Sequence, residues 1–172
     1  MSILSRLLGK REDDRAAVRP LWHRVVEIAR EPQWYVECGL ADSVPGRFDA
    51  ITLVLALVLL RMEQDEALTQ ASVRLNELFV EDMEGQLRQS GVGDLVVGKH
   101  VGKLMGALGG RLGAIREALP LGEAALAEVV TRNATMVEGG GNPAKAAARL
   151  LALADGLRTI PAAALLAGAI PR

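Results

Sequence analysis

Aromatic side chains are scarce in this sequence: two tryptophans, two phenylalanines and one tyrosine make up 3% of its 172 residues. Because 50% of the residues are hydrophobic, the core must be filled mainly by aliphatic side chains, which suit the packing of helix against helix. No segment shows the strict alternation of polar and apolar residues that marks a half-buried strand. We therefore expect an all-α fold, and the length fits a single domain.

Reactive side chains are also scarce. The single cysteine, Cys38, cannot form a disulfide within the chain. Neither His23 nor His100 has a second histidine or cysteine three or four residues away, so we expect no metal site and no cofactor. We also expect that the protein is not an enzyme. One alternative stays open, a small helical cofactor-binding protein or enzyme in which the fold brings Cys38 to a histidine.

A hydrophobic run long enough to span a bilayer is missing. The uncharged run over residues 50–60 has eleven residues, whereas a span needs roughly 20. Asp42 or Ser43 can cap this segment, with Pro45 in the first turn. We therefore predict a helix over residues 46–62 that is buried on nearly every side. The expected architecture is a single-domain bundle of about six to seven helices around it.

Neither sign of charge dominates the chain, whose net charge is -1. Residues 1–30 carry +3, residues 31–98 carry -8 and residues 99–172 carry +4. We expect no nucleic-acid binding, because no basic stripe is interleaved with aromatic residues. The uneven blocks fit solvated faces that compensate one another in the fold. They also fit a basic arm at a membrane surface together with an acidic face for a basic partner.

The basic N-terminal arm is assigned to residues 1–19 and the helical domain to residues 20–172. We expect no cleaved secretory signal, since the apolar stretch of the arm is too short and its charges follow that stretch. We expect a cytoplasmic protein, with peripheral contact at the inner membrane as an open question. Residues 1–11 can form an amphipathic turn on anionic lipid, so a generic peripheral membrane interaction module is a further alternative.

Two amphipathic helices meet at a glycine-marked reversal in the middle of the chain. The first covers residues 65–90 and carries Glu84 and Arg88 as an i,i+4 ion pair. Gly91 can end it in a left-handed conformation, and Asp94 can cap the turn that follows. The spacing from Gly93 to Lys99 resembles a phosphate loop. Nucleotide binding is rejected, because a histidine replaces the hydroxyl after the lysine and no strand precedes the loop.

The helix after this reversal is rich in glycine. Each glycine inside a helix costs about 1 kcal/mol relative to alanine. Either a closely packed neighbour offsets that cost, or the helix is weak. The glycines are Gly102, Gly106, Gly109, Gly110 and Gly113.

Three segments resemble the ubiquinol-cytochrome c chaperone family over roughly residues 20–172. The first is Gly46-Arg47-Phe48-Asp49, which leads into the apolar helix, and the third is Arg132-Asn133. The second is the most specific and comprises Phe79, Asp82, Met83, Leu87, Arg88, Gly91, Val92, Gly93, Asp94, Val97 and Lys99. The tail around Leu165, Leu166 and Gly168 is also similar.

The resemblance implies a non-enzymatic assembly chaperone for the cytochrome bc complex, respiratory complex III. Its client would be newly made cytochrome b, whose maturation it aids. It further implies a small partner protein or a ribosome contact as candidate partners. The predicted interaction residues form a charged cluster around the Gly91-to-Gly98 turn: Arg47, Phe48, Asp49, Asp82, Arg88, Asp94, Lys99 and Arg111. A purely structural role for these charges, as pairs that fix helix ends, is the competing explanation.

Overall fold

The apolar segment lies at the centre of the fold. In the computed structural model, which describes residues 15–91 and 93–171, every residue from Ala50 to Leu60 is buried. The surrounding helices contact this segment from several sides, because it carries apolar side chains all round its axis. The predicted central helix is confirmed.

Eight α-helices follow one another within the described residues, six of them longer than ten residues. Two short 3₁₀ turns cover Glu66–Leu68 and Leu119–Leu121. No strand longer than an isolated bridge occurs in this part of the chain, so the all-α prediction is confirmed. The helices are α1 (Arg19–Ala29), α2 (Pro32–Val36), α3 (Val44–Met62), α4 (Thr69–Gln89), α5 (Asp94–Ala118), α6 (Glu123–Asn133), α7 (Pro143–Arg158) and α8 (Ala162–Leu166).

Helix α3 begins two residues before the predicted start at residue 46. The Oγ of Ser43 accepts a hydrogen bond from the Gly46 N–H at 3.3 Å, and a proline lies in the first turn. Ser43, and not Asp42, is therefore the cap. This cap satisfies one of the N–H groups that a helix start leaves without a partner.

The reversal between α4 and α5 forms as predicted at Gly91, whose φ is +82°. The prediction that Asp94 caps the next turn is wrong, because Asp94 is already the first residue of α5. Gly93 precedes it in an extended conformation, and its carbonyl oxygen accepts from the N–H groups of Val96 and Val97. Gly93 thus occupies the cap position.

The glycines of α5 do not pack against a close neighbour. A Cβ atom added at Gly102, Gly106, Gly109, Gly110 or Gly113 would meet nothing within 4 Å. Helix α5 is held instead by its opposite side, where Val97, Leu108 and Ile115 are buried. Of the two explanations offered for the glycines, close packing is therefore wrong. The glycines leave an open face on a long helix.

Helix α6 ends at Asn133. After Asn133 the backbone becomes extended and pairs with the segment before α3. The Ala41 N–H donates to the Thr135 carbonyl at 2.8 Å, and the Val137 N–H donates to the Gly39 carbonyl at 2.9 Å. These bonds satisfy backbone groups that a continued helix would have used internally.

Candidate functional site

One arginine on α5 lies almost completely inside the bundle. The Arg111 side chain is 10% exposed, and its Nη2 donates to the Asp49 carboxylate of α3 at 2.5 Å. The same nitrogen donates to the Asn133 carbonyl at 2.6 Å, and Nη1 donates to the Thr52 hydroxyl. A buried charge persists when it is paired and hydrogen-bonded in this way.

The other oxygen of Asp49 extends this arrangement to the segment after α6. Its Oδ2 accepts a hydrogen bond from the Thr135 N–H at 2.7 Å. The ring of Phe48 lies on another side of the arginine, with its centroid 5.3 Å from Arg111 Cζ. We call the set of Arg111, Asp49, Thr52, the Asn133 carbonyl and the Thr135 N–H the Arg111 hub. It joins α3 and α5 to the end of α6.

The Arg111 hub lies beside two loops that contact each other, residues 38–41 and residues 135–142. We call them the interlocked loops. Beyond Thr135 the chain contacts the loop at residues 38–41, and the Asn142 N–H donates to the Cys38 carbonyl at 2.8 Å. Gly39 has a φ of +73°, and a Cβ atom there would lie 2.3 Å from the Gly140 carbonyl oxygen. Only glycine fits this position without moving the opposite loop.

The predicted interaction residues do not form one cluster. Arg111 and Asp49 meet in the hub and Phe48 packs beside Arg111. Lys99, in contrast, lies about 18 Å from Arg111 along α5. Arg47 pairs with Asp42 at 2.6 Å on the surface. The prediction of a single charged cluster around the Gly91-to-Gly98 turn is therefore corrected to two separate regions.

The other predicted residues lie on or beside α4. Arg88 pairs with Glu84 at 3.3 Å, which confirms the predicted i,i+4 pair. Asp82 is half-buried and lines a cleft between α4 and α1, opposite Arg19 and His23. The side chain of Asp94 lies outside the described part of the structure. A role of these residues in binding a partner stays a prediction.

Sequence reasoning missed two members of the hub, Thr52 and Thr135. A signal for Thr52 existed, because it is the one polar residue in the uncharged run of residues 50–60. Its hydroxyl donates to the Phe48 carbonyl at 3.0 Å and accepts from Arg111. Thr135 contributes only its backbone N–H, so its side chain carried no such signal.

A groove lined by leucines and by charged side chains lies at the opposite end of α3, next to the end of α5 and one side of α7. Leucines from all three places form its wall, and its volume is about 510 Å³. Two ion pairs lie among its lining residues or at its edge, Glu63 with Arg116 at 2.8 Å and Asp155 with Arg158 at 2.7 Å. We call it the leucine groove, and its leucines are Leu57, Leu60, Leu119, Leu151 and Leu157.

The cysteine has an environment unlike that of a reactive thiol. Cys38 is 1% exposed, and burial raises the pKa of its thiol above the ordinary value. A raised pKa keeps the sulfur protonated near neutral pH, the state of an unreactive buried cysteine. Among residues 15–91 and 93–171, no group of three or more His, Cys, Asp and Glu could hold a metal ion. No helix in the same ranges is long and apolar enough to cross a membrane.

Comparison with known proteins gives two matches. The family model described as "Ubiquinol-cytochrome C chaperone" matches residues 36–171. The crystal structure of the Cbp3 homolog from Brucella abortus superposes with a TM-score of 0.79 at 31% sequence identity. That alignment covers 98% of this chain and 95% of the other. A search of curated proteins finds no match.

Proposed function

Because this chain belongs to the ubiquinol-cytochrome c chaperone family, we propose that it binds newly made cytochrome b and aids its maturation into the cytochrome bc complex, without catalysis. The observation that carries this proposal is the match over residues 36–171, which includes the hub, the interlocked loops and the leucine groove. A partner for the chain is therefore expected to be a polypeptide. The burial of Cys38 supports a role without covalent chemistry.

The leucine groove has the properties that a chaperone for a membrane protein needs. An apolar segment that has not yet reached its final place must be shielded from water and released later. The groove offers the half-buried side chains of Leu119 and Leu151 for this contact, and the ion pairs at its edge keep the surrounding surface hydrated. An apolar segment of cytochrome b is the ligand that we propose for it.

Three finer expectations belong to the same proposal. The chain would act in the cytoplasm, with peripheral contact at the inner membrane, where cytochrome b is inserted. That contact was predicted for residues 1–11, which lie outside the described residues. A small partner protein or a ribosome contact also stays a prediction.

Deletion of the gene in its host tests the proposal. We expect the levels of cytochrome b and of the assembled bc complex to fall together, while the cytochrome b transcript stays unchanged. Normal levels of both would contradict the chaperone function.

Complementation of the deletion strain tests the groove separately. Leu119→Asp places a charge in the leucine groove and should fail to restore the complex. The matched control is Leu121→Asp, because Leu121 is close in the chain, is 74% exposed and is not among the groove's lining residues. Equal restoration by both variants would remove the groove from the proposal, provided that thermal unfolding shows both to be folded.

A further inference from the structure

A small cavity lies on the side of α7 that faces away from the leucine groove. Its volume is about 170 Å³, and its walls come from the end of α1, from α2, from α7 and from the segment after α8. Apart from one glutamate, one arginine and one tryptophan, its lining residues are aliphatic side chains, proline and glycine. We call it the Glu31 cavity, and its lining includes Ile28, Glu31, Trp34, Arg149, Leu153 and Gly156.

The glutamate and the arginine of the cavity form an ion pair that joins the start of α2 to α7. Arg149 Nη2 donates to Glu31 Oε2, and Arg149 Cζ lies 4.9 Å from the centroid of the Trp34 ring. An arginine and a carboxylate often pair through two parallel hydrogen bonds. This pair uses one, which leaves Glu31 Oε1 and Arg149 Nε without a hydrogen-bond partner.

Two such atoms in one ion pair are unusual in this molecule. Within residues 15–91 and 93–171, three buried side-chain nitrogen or oxygen atoms lack a hydrogen-bond partner, and the third is Arg111 Nε. A buried polar atom without a partner costs free energy, and most such atoms are satisfied in folded proteins. Glu31 precedes α2 in the cap position, yet its side chain makes no cap hydrogen bond. The fold therefore leaves a donor and an acceptor close together at the wall of a cavity.

A neutral primary carboxamide matches this arrangement. Its carbonyl oxygen can accept from Arg149 Nε, and its N–H can donate to Glu31 Oε1. Because Glu31 and Arg149 neutralise each other, a charged ligand would bring an unpaired charge out of water, which is costly. A volume of about 170 Å³ leaves room for an apolar body of about six carbon atoms, since cavities of about 150 Å³ can hold benzene.

We propose that the Glu31 cavity binds a primary carboxamide that carries a small apolar body. The amide bridges Glu31 Oε1 and Arg149 Nε, and the apolar body contacts Leu153 and Ile170. Both polar atoms are covered, so the ligand enters as the Arg149 side chain, which is 29% exposed, turns outward. The amide has two possible sources, a free small molecule or the glutamine side chain of a polypeptide. Neither source requires that the client of the chaperone be cytochrome b.

NMR of the full chain with benzamide tests this proposal. The two tryptophans give two indole N–H signals, and Trp34 lines the cavity whereas Trp22 packs against Phe79. We expect benzamide to shift the Trp34 signal in a saturable manner and to leave the Trp22 signal unchanged. Benzoate and benzamidine carry a negative and a positive charge on the same ring and should bind at least about tenfold more weakly. No shift by benzamide, or equal binding of all three compounds, would overturn the proposal.

A change of the glutamate gives the most specific signature. Glu31→Gln leaves the charge of Arg149 uncompensated, so the variant should prefer benzoate to benzamide. The matched control is Glu37→Gln, which removes the same charge from a residue that pairs with Lys145 at 2.7 Å and is not among the lining residues of the cavity. This control should keep the preference for benzamide. Equal selectivity of the two variants would show that the ion pair does not hold the ligand, and the proposal would fail.

Filling the cavity locates the binding without a change of charge. A Cβ atom at Gly156 would meet nothing within 4 Å, so Gly156→Leu can occupy the cavity without moving the backbone. It should weaken benzamide binding about tenfold or more, because bulk replaces the volume that the ligand needs. The control is Gly106→Leu, at an equally open glycine of α5. With both variants folded by thermal unfolding, equal binding by the two would place the ligand elsewhere and overturn the proposal.

Two capped tripeptides distinguish the sources of the amide. One has glutamine between two leucines, and the other has glutamate in place of the glutamine. A shift of the Trp34 signal by the glutamine peptide alone would support the cavity as a site for a polypeptide side chain. Binding of benzamide and of neither peptide would support a free small molecule as the ligand. Binding of neither benzamide nor the glutamine peptide would overturn the proposal.

Discussion

Two regions of this molecule carry similar residues in opposite physical settings. The Arg111 hub and the reversal at Gly91 both combine arginine, aspartate and the ends of helices. In the hub the Arg111 side chain is buried and bonded to three parts of the chain. At the reversal Gly91, Gly93 and Lys99 are exposed, and a Cβ atom at either glycine would meet open space. The charges of the hub therefore fix the fold, whereas Lys99 at the reversal is exposed to solvent.

The largest expected effect comes from breaking the hub. Arg111→Met leaves the Asp49 carboxylate buried without its cation, which should lower the free energy of unfolding by about 3–5 kcal/mol. Denaturation by urea measures the change. The double variant Arg111→Met with Asp49→Leu is the control, because it removes both charges and should recover a large part of the loss. Equal loss in the single and double variants would mean that packing, and not the ion pair, accounts for the effect.

The next effect concerns the interlocked loops. Gly39→Ala places a Cβ atom against the Gly140 carbonyl, and it also puts alanine at a strained φ. The free energy of unfolding should therefore fall by more than about 2 kcal/mol. Gly139→Ala is the matched control, since Gly139 has a similar φ of +69° but open space around it. It should cost about 1 kcal/mol from backbone strain alone. If the two variants unfolded at the same denaturant concentration, the loops would not be interlocked in solution.

A stabilising change is expected on the open face of α5. Gly106→Ala should raise the free energy of unfolding by about 0.5–1 kcal/mol, because alanine lowers backbone entropy in the unfolded chain and meets no neighbour in the fold. Gly91→Ala should act in the opposite direction, since its φ is +82°. Thermal unfolding measures both. A destabilised Gly106→Ala would indicate a contact on this face that the isolated chain does not show.

The smallest effect is expected for the exposed ion pair at the start of α3. A hydrogen bond from Arg47 lowers the pKa of Asp42 below its ordinary value. Any stability from this pair is present above the ordinary carboxyl pKa, and it is lost as the pH falls through the lower pKa of the folded state. Arg47→Ala should therefore raise the pKa of Asp42 in a carboxyl NMR titration, with little change in unfolding at neutral pH. An unchanged pKa would show that the pair does not persist in solution.

Elements whose conformation is set by neighbouring residues are predicted from the sequence better than elements that depend on contacts between distant residues. The central helix follows from an uncharged run that no amphipathic pattern interrupts, and the left-handed turn follows from Gly91. The hub could not be predicted in the same way. Asp49 and Arg111 are 62 residues apart, and only the packing of α3 against α5 brings them together. The end of α6 has the same origin, because it depends on backbone bonds to residues 38–41.

Pulse labelling of cytochrome b in cells that carry an affinity-tagged copy of this chain is the most direct test of its proposed role. At short times labelled cytochrome b should co-purify with the tagged chain. At later times the labelled cytochrome b should dissociate from the tagged chain and appear in the assembled bc complex. Leu119→Asp should reduce the early association, and Leu121→Asp should not. Labelled cytochrome b that reaches the complex at the normal rate without ever associating with the chain would contradict the proposal.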